Sequence, residues 1–183
     1  MSKLGELKEI LKKLIAIPSV TGNEHDIAIY IADYLRQCGV DSVELQPVEG
    51  KRLNVVAHLK GEKVGPVVLL TGHMDTVAPG EGWRTDPFKA TERDGRIYGR
   101  GAADMKGGIA AILVAIRNAA AQREQMRGEA IIAFVCDEEA YSKGVDALIR
   151  SGIRADYGIA AEPEWDAVIG AVGKMLIKVR VYG

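Results

Sequence analysis

The sequence predicts a three-layer α/β/α fold with a mixed, mostly parallel central sheet. Three observations support this class: helical and β-rich segments alternate, several strand-like runs are entirely apolar, and two stretches are typical of antiparallel hairpins. The 183 residues are 48% hydrophobic, which suffices for one compact body with a substantial core. The sequence contains no internal repeat or low-complexity segment.

Two amphipathic helices are predicted at the start of the chain. Apolar residues recur at helical spacing over residues 4–15, and Pro18 ends this segment because proline disfavours helical backbone in the residue before it. Thr21 and Glu24 have the spacing of a capping box, so a second helix is expected over about residues 23–38.

Strands and helices are predicted to alternate along the rest of the chain. Strands are expected at residues 42–46, 53–59, 67–70, 96–98, 129–136, 157–161, 167–172 and 175–182, and helices at 105–125 and 145–151. The apolar 67–70 run is typical of a central strand buried on both faces. Residues 80–95 are predicted to form a long surface loop. Glycine and alanine early in the 105–125 helix predict close packing against the sheet.

Charge and composition exclude several classes of partner and location. Lys and Arg number 24 against 25 Asp and Glu, so a net charge of −1 favours neither nucleic acid nor an anionic membrane. Residues 1–13 lack a signal-peptide pattern, and no apolar run has membrane-spanning length. Cys38 and Cys136 have no disulfide-type spacing. We expect a cytoplasmic protein with buried, reduced thiols and small-molecule partners.

Histidine and acidic residues follow several of the predicted strands. His73 and Asp75 come after the 67–70 strand, and two-residue spacing on extended backbone places both side chains on one face. The Asp75 carboxylate could hold one ring nitrogen of His73 while the other binds a metal ion. Taken alone, an ordinary polar histidine at a strand end is the more common explanation.

Three acidic motifs each have a structural and a functional interpretation. Asp104 precedes the predicted long helix, where it could be an N-cap, although the surrounding glycines would let its carboxylate approach a metal ion. Asp137, Glu138 and Glu139 close a strand; they could form a solvated turn, or supply a ligand and a general base. Glu162 alone would be an ordinary surface residue.

Together, these motifs resemble the ordered signature of the M20 metallopeptidase family. The motifs are Gly72-His73-Met74-Asp75, Gly99-Arg100-Gly101 with Asp104-Met105-Lys106-Gly107-Gly108, Asp137-Glu138-Glu139 and Ala161-Glu162-Pro163. The family includes acetylornithine deacetylase, succinyl-diaminopimelate desuccinylase, carboxypeptidases and aminoacylases. The resemblance runs from the first helix to the last residue. It implies a zinc-dependent hydrolase that cleaves an amide bond of an N-acyl amino acid or small peptide.

The resemblance also implies a set of metal ligands. His73, Asp104 and Glu162 would bind one zinc ion, and Asp104 would bridge to a second. Glu139 would be a ligand of that second ion. Co²⁺ or Mn²⁺ could replace zinc at both positions.

Two further residues receive roles from the resemblance. Asp75 would orient His73, and Glu138 would be the general base that takes a proton from the attacking water and returns it to the leaving nitrogen. A non-proline cis peptide bond is expected after Asp104.

One part of the family pattern is missing from this sequence. The family takes two further histidines from later segments, whereas the remaining histidines here, His25 and His58, match neither. Residues 1–172 are therefore expected to be the N-terminal part of the catalytic domain, and residues 173–183 the first strand of a lid domain. We expect the full-length protein to be a homodimer and this piece alone to be weakly active or inactive.

The missing histidines leave a second hypothesis open. The chain could be a non-catalytic binding or assembly module derived from such an enzyme. Within the enzyme hypothesis, acetylornithine-type and succinyl-diaminopimelate-type compounds are the substrates expected first.

Overall fold

The computed structural model describes residues 2–163, which form three layers with helices on both faces of a sheet. The helices are α1 (Lys3–Ala16), α2 (His25–Gln37), α3 (Gly107–Ala120) and α4 (Lys143–Arg150). The strands are β1 (Ser42–Glu49), β2 (Arg52–Lys60), β3 (Lys63–His73), β4 (Thr91–Arg93), β5 (Arg96–Tyr98), β6 (Arg127–Val135) and β7 (Tyr157–Ala160). The strands predicted at 167–172 and 175–182, and the lid segment predicted at 173–183, lie outside the described residues.

The main sheet has the strand order β1-β2-β6-β3-β7. β2 pairs antiparallel with both of its neighbours, whereas β3 pairs parallel with β6 and β7. Four of the five strands therefore run in the same direction and only β2 opposes them. This confirms the predicted mixed, mostly parallel sheet.

Two hydrophobic clusters on opposite faces of the sheet create the layers. Side chains alternate across a strand, so β6 contributes to both clusters. Ile132 and Phe134 pack with apolar residues of α1, α2 and α3. Ile131 and Ala133 face the other way and pack with Leu148 of α4. The uninterrupted apolar run of β6 is explained by this burial on both faces.

The capping box predicted at the start of α2 is wrong. The helix begins at His25, and neither candidate side chain caps it. The Thr21 hydroxyl donates a hydrogen bond to Asp75 Oδ2 at 2.9 Å, and the Glu24 carboxylate accepts hydrogen bonds from Arg52. Both side chains bind partners distant in sequence, which outweighs their local capping tendency.

The predicted loop at residues 80–95 contains a strand, β4, that was not predicted from the sequence. β4 pairs antiparallel with β5, with Arg93 opposite Arg96. The two turn residues, Asp94 and Gly95, both have positive φ angles, of 53° and 72°. An Asp-Gly pair is the typical sequence of such a two-residue hairpin turn, so the signal was present.

Burial differs from expectation at two further places. β3 lies between β6 and β7 as predicted, but residues 67–70 are only half-buried. Both cysteines are free thiols; Cys136 is buried, whereas Cys38 is half-buried. None of the helices within residues 2–163 is long and apolar enough to cross a bilayer.

The glycine-rich start of α3 allows the predicted close packing. A Cβ atom at Gly108 would overlap the carbonyl oxygen of Ala161, which follows β7. A Cβ atom at Gly107 would lie 2.7 Å from the carbonyl oxygen of Ala102. Glycine at position 108 lets α3 lie directly against the backbone that leads to Glu162, and glycine at position 107 lets the helix start close to the preceding turn.

We expect Gly108→Ala to lower the free energy of unfolding by about 1–3 kcal/mol, because α3 must move away from Ala161. Urea unfolding would measure the change. The matched control is Gly158→Ala: an added Cβ there has no atom of residues 2–163 within 4 Å, so the change should stay within about 0.5 kcal/mol. Equal effects of the two substitutions would contradict the close approach.

Candidate metal centre

His73 lies at the end of β3 with its side chain almost fully buried, at 2% exposure. Its Nδ1 atom lies 2.9 Å from the backbone carbonyl oxygen of Asp75 and 3.6 Å from that residue's Oδ1. The backbone carbonyl, rather than the expected carboxylate, is thus the nearer acceptor. The Nδ1–H group therefore donates to this carbonyl oxygen, and Nε2, on the opposite side of the ring, can bind a metal ion once it has lost its own proton.

Carboxylates from three other segments surround His73 Nε2. Asp104 Oδ1 lies 2.9 Å from it, Glu162 Oε2 3.7 Å and Glu138 Oε2 4.0 Å. Ligand atoms of His73, Asp104 and Glu139 all lie within 4.8 Å of one another. The structure therefore brings together every side chain that was proposed from the sequence as a ligand or base.

Sheet topology explains this convergence. β6, β3 and β7 are adjacent and parallel, so their carboxyl ends lie along one edge of the sheet. His73 ends β3, Glu138 and Glu139 follow β6, and Glu162 follows β7. Asp104 comes from the turn before α3. Such an edge is where open α/β sheets place their ligands.

The turn that carries Asp104 is irregular. Within Ala102–Lys106, Asp104 (φ −113°, ψ 101°) and Met105 (φ −128°, ψ 31°) leave the helical region. The bond between them is cis, which confirms the expectation from the sequence resemblance. α3 begins at Gly107 and its N-cap residue is Lys106. The alternative prediction that Asp104 caps this helix is therefore wrong.

Lys106 fixes this turn to the first helix. Its side chain is fully buried, and Nζ donates to the carbonyl oxygens of Leu14 and Ile17 at 2.9 and 2.8 Å. Burial lowers the pKa of Lys106 to about 8. A buried cation satisfied by carbonyl groups at a helix C-terminus is favourable for both partners. Lys106 lies in the Asp104-Met105-Lys106-Gly107-Gly108 motif, but no role was predicted for it from the sequence.

The Asp75 carboxylate connects β3 to the loop after β6. It is fully buried and accepts hydrogen bonds from the backbone N–H groups of Glu138 and Glu139 at 3.0 and 3.1 Å, and from the Thr21 hydroxyl. Burial alone would raise the pKa of Asp75, but the nearby His73 ring and the hydrogen bonds from Thr21 and the two amides lower it below its ordinary value. Asp75 thus positions both glutamates as well as His73.

The segment before α2 lies against the same site. The backbone N–H of Thr76 donates to the carbonyl oxygen of Ser19, and the N–H of Thr21 donates to the carbonyl oxygen of Thr76. The buried Ser19 hydroxyl donates to the carbonyl oxygen of Met74 at 2.8 Å. The connection between α1 and α2 therefore forms part of the frame around His73.

The electrostatics of the cluster favour a bound cation. Burial alone would lower the pKa of His73, but the surrounding carboxylates raise it to about 10. Burial, and next the charge of Asp104, raise the pKa of Glu139 above its ordinary value. One imidazole among several carboxylates leaves excess negative charge, and nitrogen and oxygen donors of this kind suit a divalent cation. The residues present therefore fit a metal ion.

The remaining candidates lie outside the cluster. His25 is on α2 beside Asp26, and His58 is on β2 and pairs with Glu129 at 2.5 Å. Asp137 is buried and its Oδ2 atom accepts two backbone hydrogen bonds from the turn that leads to α4.

We expect Asp75→Asn to lower the free energy of unfolding by about 1–3 kcal/mol, because an amide cannot accept from all the donors that face the carboxylate. Thr21→Ala removes only one of these donors and should cost about 1 kcal/mol. Urea unfolding of the metal-free protein would compare them. A smaller effect for Asp75→Asn than for Thr21→Ala would contradict its anchoring role.

Known proteins resemble this chain in sequence. Residues 69–178 match the model of Peptidase family M20/M25/M40. Succinyl-diaminopimelate desuccinylase from Bordetella avium is 38% identical over 173 residues, which cover 91% of this chain and 45% of that protein. The desuccinylase from Nautilia profundicola is 36% identical, over 88% of this chain and 43% of that protein. The chain thus spans less than half the length of these relatives.

Solved structures resemble it in fold. The M20 family metallo-carboxypeptidase Sso-CP2 from Sulfolobus solfataricus superimposes with a TM-score of 0.75 at 25% identity, over 85% of this chain and 37% of that one. Aminopeptidase PepT from Bacillus cereus gives a TM-score of 0.71 at 28% identity, over 87% and 43%. The family match, covering more than half of the chain, agrees with the order of the four sequence motifs: this chain belongs to peptidase family M20/M25/M40.

Proposed function

We propose that the chain carries the metal-binding and proton-transferring residues of a zinc-dependent amide hydrolase. One observation carries the proposal: ligand atoms of His73, Asp104 and Glu139 lie within 4.8 Å of one another, with Glu138 and Glu162 beside them. Because the chain spans less than half of its curated relatives, the activity is proposed for the full-length protein. Residues 1–172 would be part of its catalytic domain.

His73, Asp104 and Glu162 would hold one zinc ion, and Asp104 and Glu139 would share in holding a second. One imidazole with carboxylates is a ligand set that zinc accepts, and Co²⁺ or Mn²⁺ would substitute. When bound, the metal lowers the pKa of a water molecule and polarises the amide carbonyl group. The buried position of His73, with Nδ1 held by a backbone carbonyl, keeps Nε2 directed at this site.

Glu138 would be the general base. Its backbone N–H is anchored on Asp75, while its side chain is 39% exposed with Oε2 4.0 Å from His73 Nε2. The carboxylate can therefore reach a water molecule next to the ligands, take its proton, and deliver that proton to the leaving nitrogen. The adjacent Glu139 contributes a ligand atom to the group that it forms with His73 and Asp104.

The substrate class follows from the family. We propose an N-acyl amino acid or a small peptide, with succinylated amino acids tested first because two relatives carry the desuccinylase name. Small-molecule partners also suit the net charge of −1. A cytoplasmic location and a homodimeric full-length protein complete the proposal. The close approach of ligand atoms from His73, Asp104 and Glu139 favours this hydrolase over a non-catalytic module.

We expect His73→Ala to weaken zinc binding by more than about 100-fold. Loss of a residue that only hydrogen-bonds a metal ligand already costs about 10–100-fold, and His73 is proposed as a ligand itself. Isothermal titration of the 183-residue chain would measure the affinity. His25→Ala is the matched control, since His25 lies outside the cluster and should leave zinc binding unchanged. Equal zinc affinity in His73→Ala and the unaltered chain would refute the site.

We expect Glu138→Gln to lower kcat for amide hydrolysis by about 10²–10⁴-fold, because glutamine cannot accept the proton. Zinc affinity should stay within about threefold, since Glu138 is not proposed as a ligand. The assay uses the full-length protein, zinc and N-acyl amino acids. Glu124→Gln, at an exposed position, is the control and should retain full activity. Retained turnover in Glu138→Gln would assign the base to another residue.

A further inference from the structure

A buried charge network lies behind the loop that carries Glu138 and Glu139. The side chains of Glu24 and Asp137 are 0% and 1% exposed, and that of Arg52 is 12% exposed. Arg52 Nε donates to Glu24 Oε2 at 3.0 Å, and Nη2 donates to Glu24 Oε1 at 2.5 Å. The same Nη2 atom lies 2.7 Å from Asp137 Oδ1. One guanidinium group thus pairs with two buried carboxylates.

This network is continuous with the candidate metal centre. Asp137 directly precedes the two glutamates, and its backbone N–H donates to Glu24 Oε1 at 3.3 Å. Its φ angle of 68° lies in the left-handed region, which a residue with a side chain adopts at a cost. Asp75 accepts from the amides of Glu138 and Glu139, and Glu24 accepts from the amide of Asp137, so three successive residues of the loop are anchored on buried carboxylates.

The charge of Arg52 offsets an otherwise repulsive arrangement. Without it, Glu24 and Asp137 would be two unpaired buried carboxylates close to an already acidic cluster, which is strongly destabilising. Hydrogen bonds to these two carboxylates outweigh burial and raise the pKa of Arg52, so it stays charged. The two parallel bonds to Glu24 also need a planar fork of donors, which lysine lacks.

We propose that Arg52 is a positioning residue for the metal centre, because its pairing with Glu24 and Asp137 holds Glu138 and Glu139 in place. The inference rests on the proposed function for what those glutamates do. It predicts that loss of the guanidinium group loosens the loop and displaces Glu139 from the ligand group. His73 and Asp104, which come from other segments, keep their positions.

The test compares Arg52→Gln and Arg52→Lys with a matched control, Arg117→Gln, in the full-length protein. Arg117 Nη2 also pairs with a nearly buried glutamate, Glu6, at 2.6 Å. It lies about 15 Å along α3 from Gly107, at 1.5 Å per residue. Thermal unfolding first identifies a temperature at which all variants are folded.

The first measurement is hydrogen exchange in the metal-free protein. The amides of Glu138 and Glu139 should exchange at least about tenfold faster in Arg52→Gln, with Arg52→Lys intermediate. Arg117→Gln should leave them unchanged. Unaltered exchange at these two amides in Arg52→Gln would overturn the proposal, whether or not the protein binds metal.

The second measurement is the visible spectrum of the Co²⁺-loaded protein. Arg52→Gln should bind Co²⁺ about 10–100-fold more weakly and with an altered spectrum. This is the effect typical of losing a residue that holds metal ligands in place. Arg117→Gln should keep the affinity and spectrum of the unaltered protein. If the unaltered protein binds no Co²⁺, the proposed function fails, and hydrogen exchange alone decides the role of Arg52. A native spectrum and affinity in Arg52→Gln would overturn the inference.

Discussion

The Asp75 carboxylate is the contact on which the candidate site depends. It joins the end of β3, which carries His73, to the loop after β6, which carries two glutamates, through hydrogen bonds to two backbone amides. The parallel pairing of β3 and β6 brings the strand ends to the same edge, but pairing alone does not set the positions of side chains in a loop. The hydrogen bonds to the buried, ionised carboxylate of Asp75 set these positions, because leaving any of the donors unsatisfied is costly.

The concentration of negative charge at this edge explains much of the surrounding structure. Five acidic side chains lie around a single imidazole: Asp75, Asp104, Glu138, Glu139 and Glu162. Two cations nearby have different roles. Arg52 neutralises carboxylates behind the loop, and Lys106 fixes the turn that carries Asp104 to the end of α1. Neither contributes an atom to the cluster. The charge that remains at its centre is what a divalent cation would balance.

The fold class could be predicted because it depends on local patterns, whereas the site residues were proposed from four motifs that together resemble a known family. Apolar runs identified the strands, and polar residues at strand ends meet once the strands are parallel. Arg52 and Thr21 could not be found this way. Their partners lie 28 or more residues away, and a charged residue in a strand or a threonine before a helix has a common local explanation. Long-range contacts also explain why the predicted capping box at Thr21 and Glu24 is wrong. Both side chains bind partners distant in sequence, and a local pattern does not encode such contacts.

Gly108 has a mechanical consequence. With no side chain at Gly108, α3 lies directly against the backbone at Ala161. Any rotation or sliding of α3 would therefore push the chain that bears Glu162. Glu162 should therefore shift whenever a larger residue at position 108 moves α3 away from the backbone at Ala161.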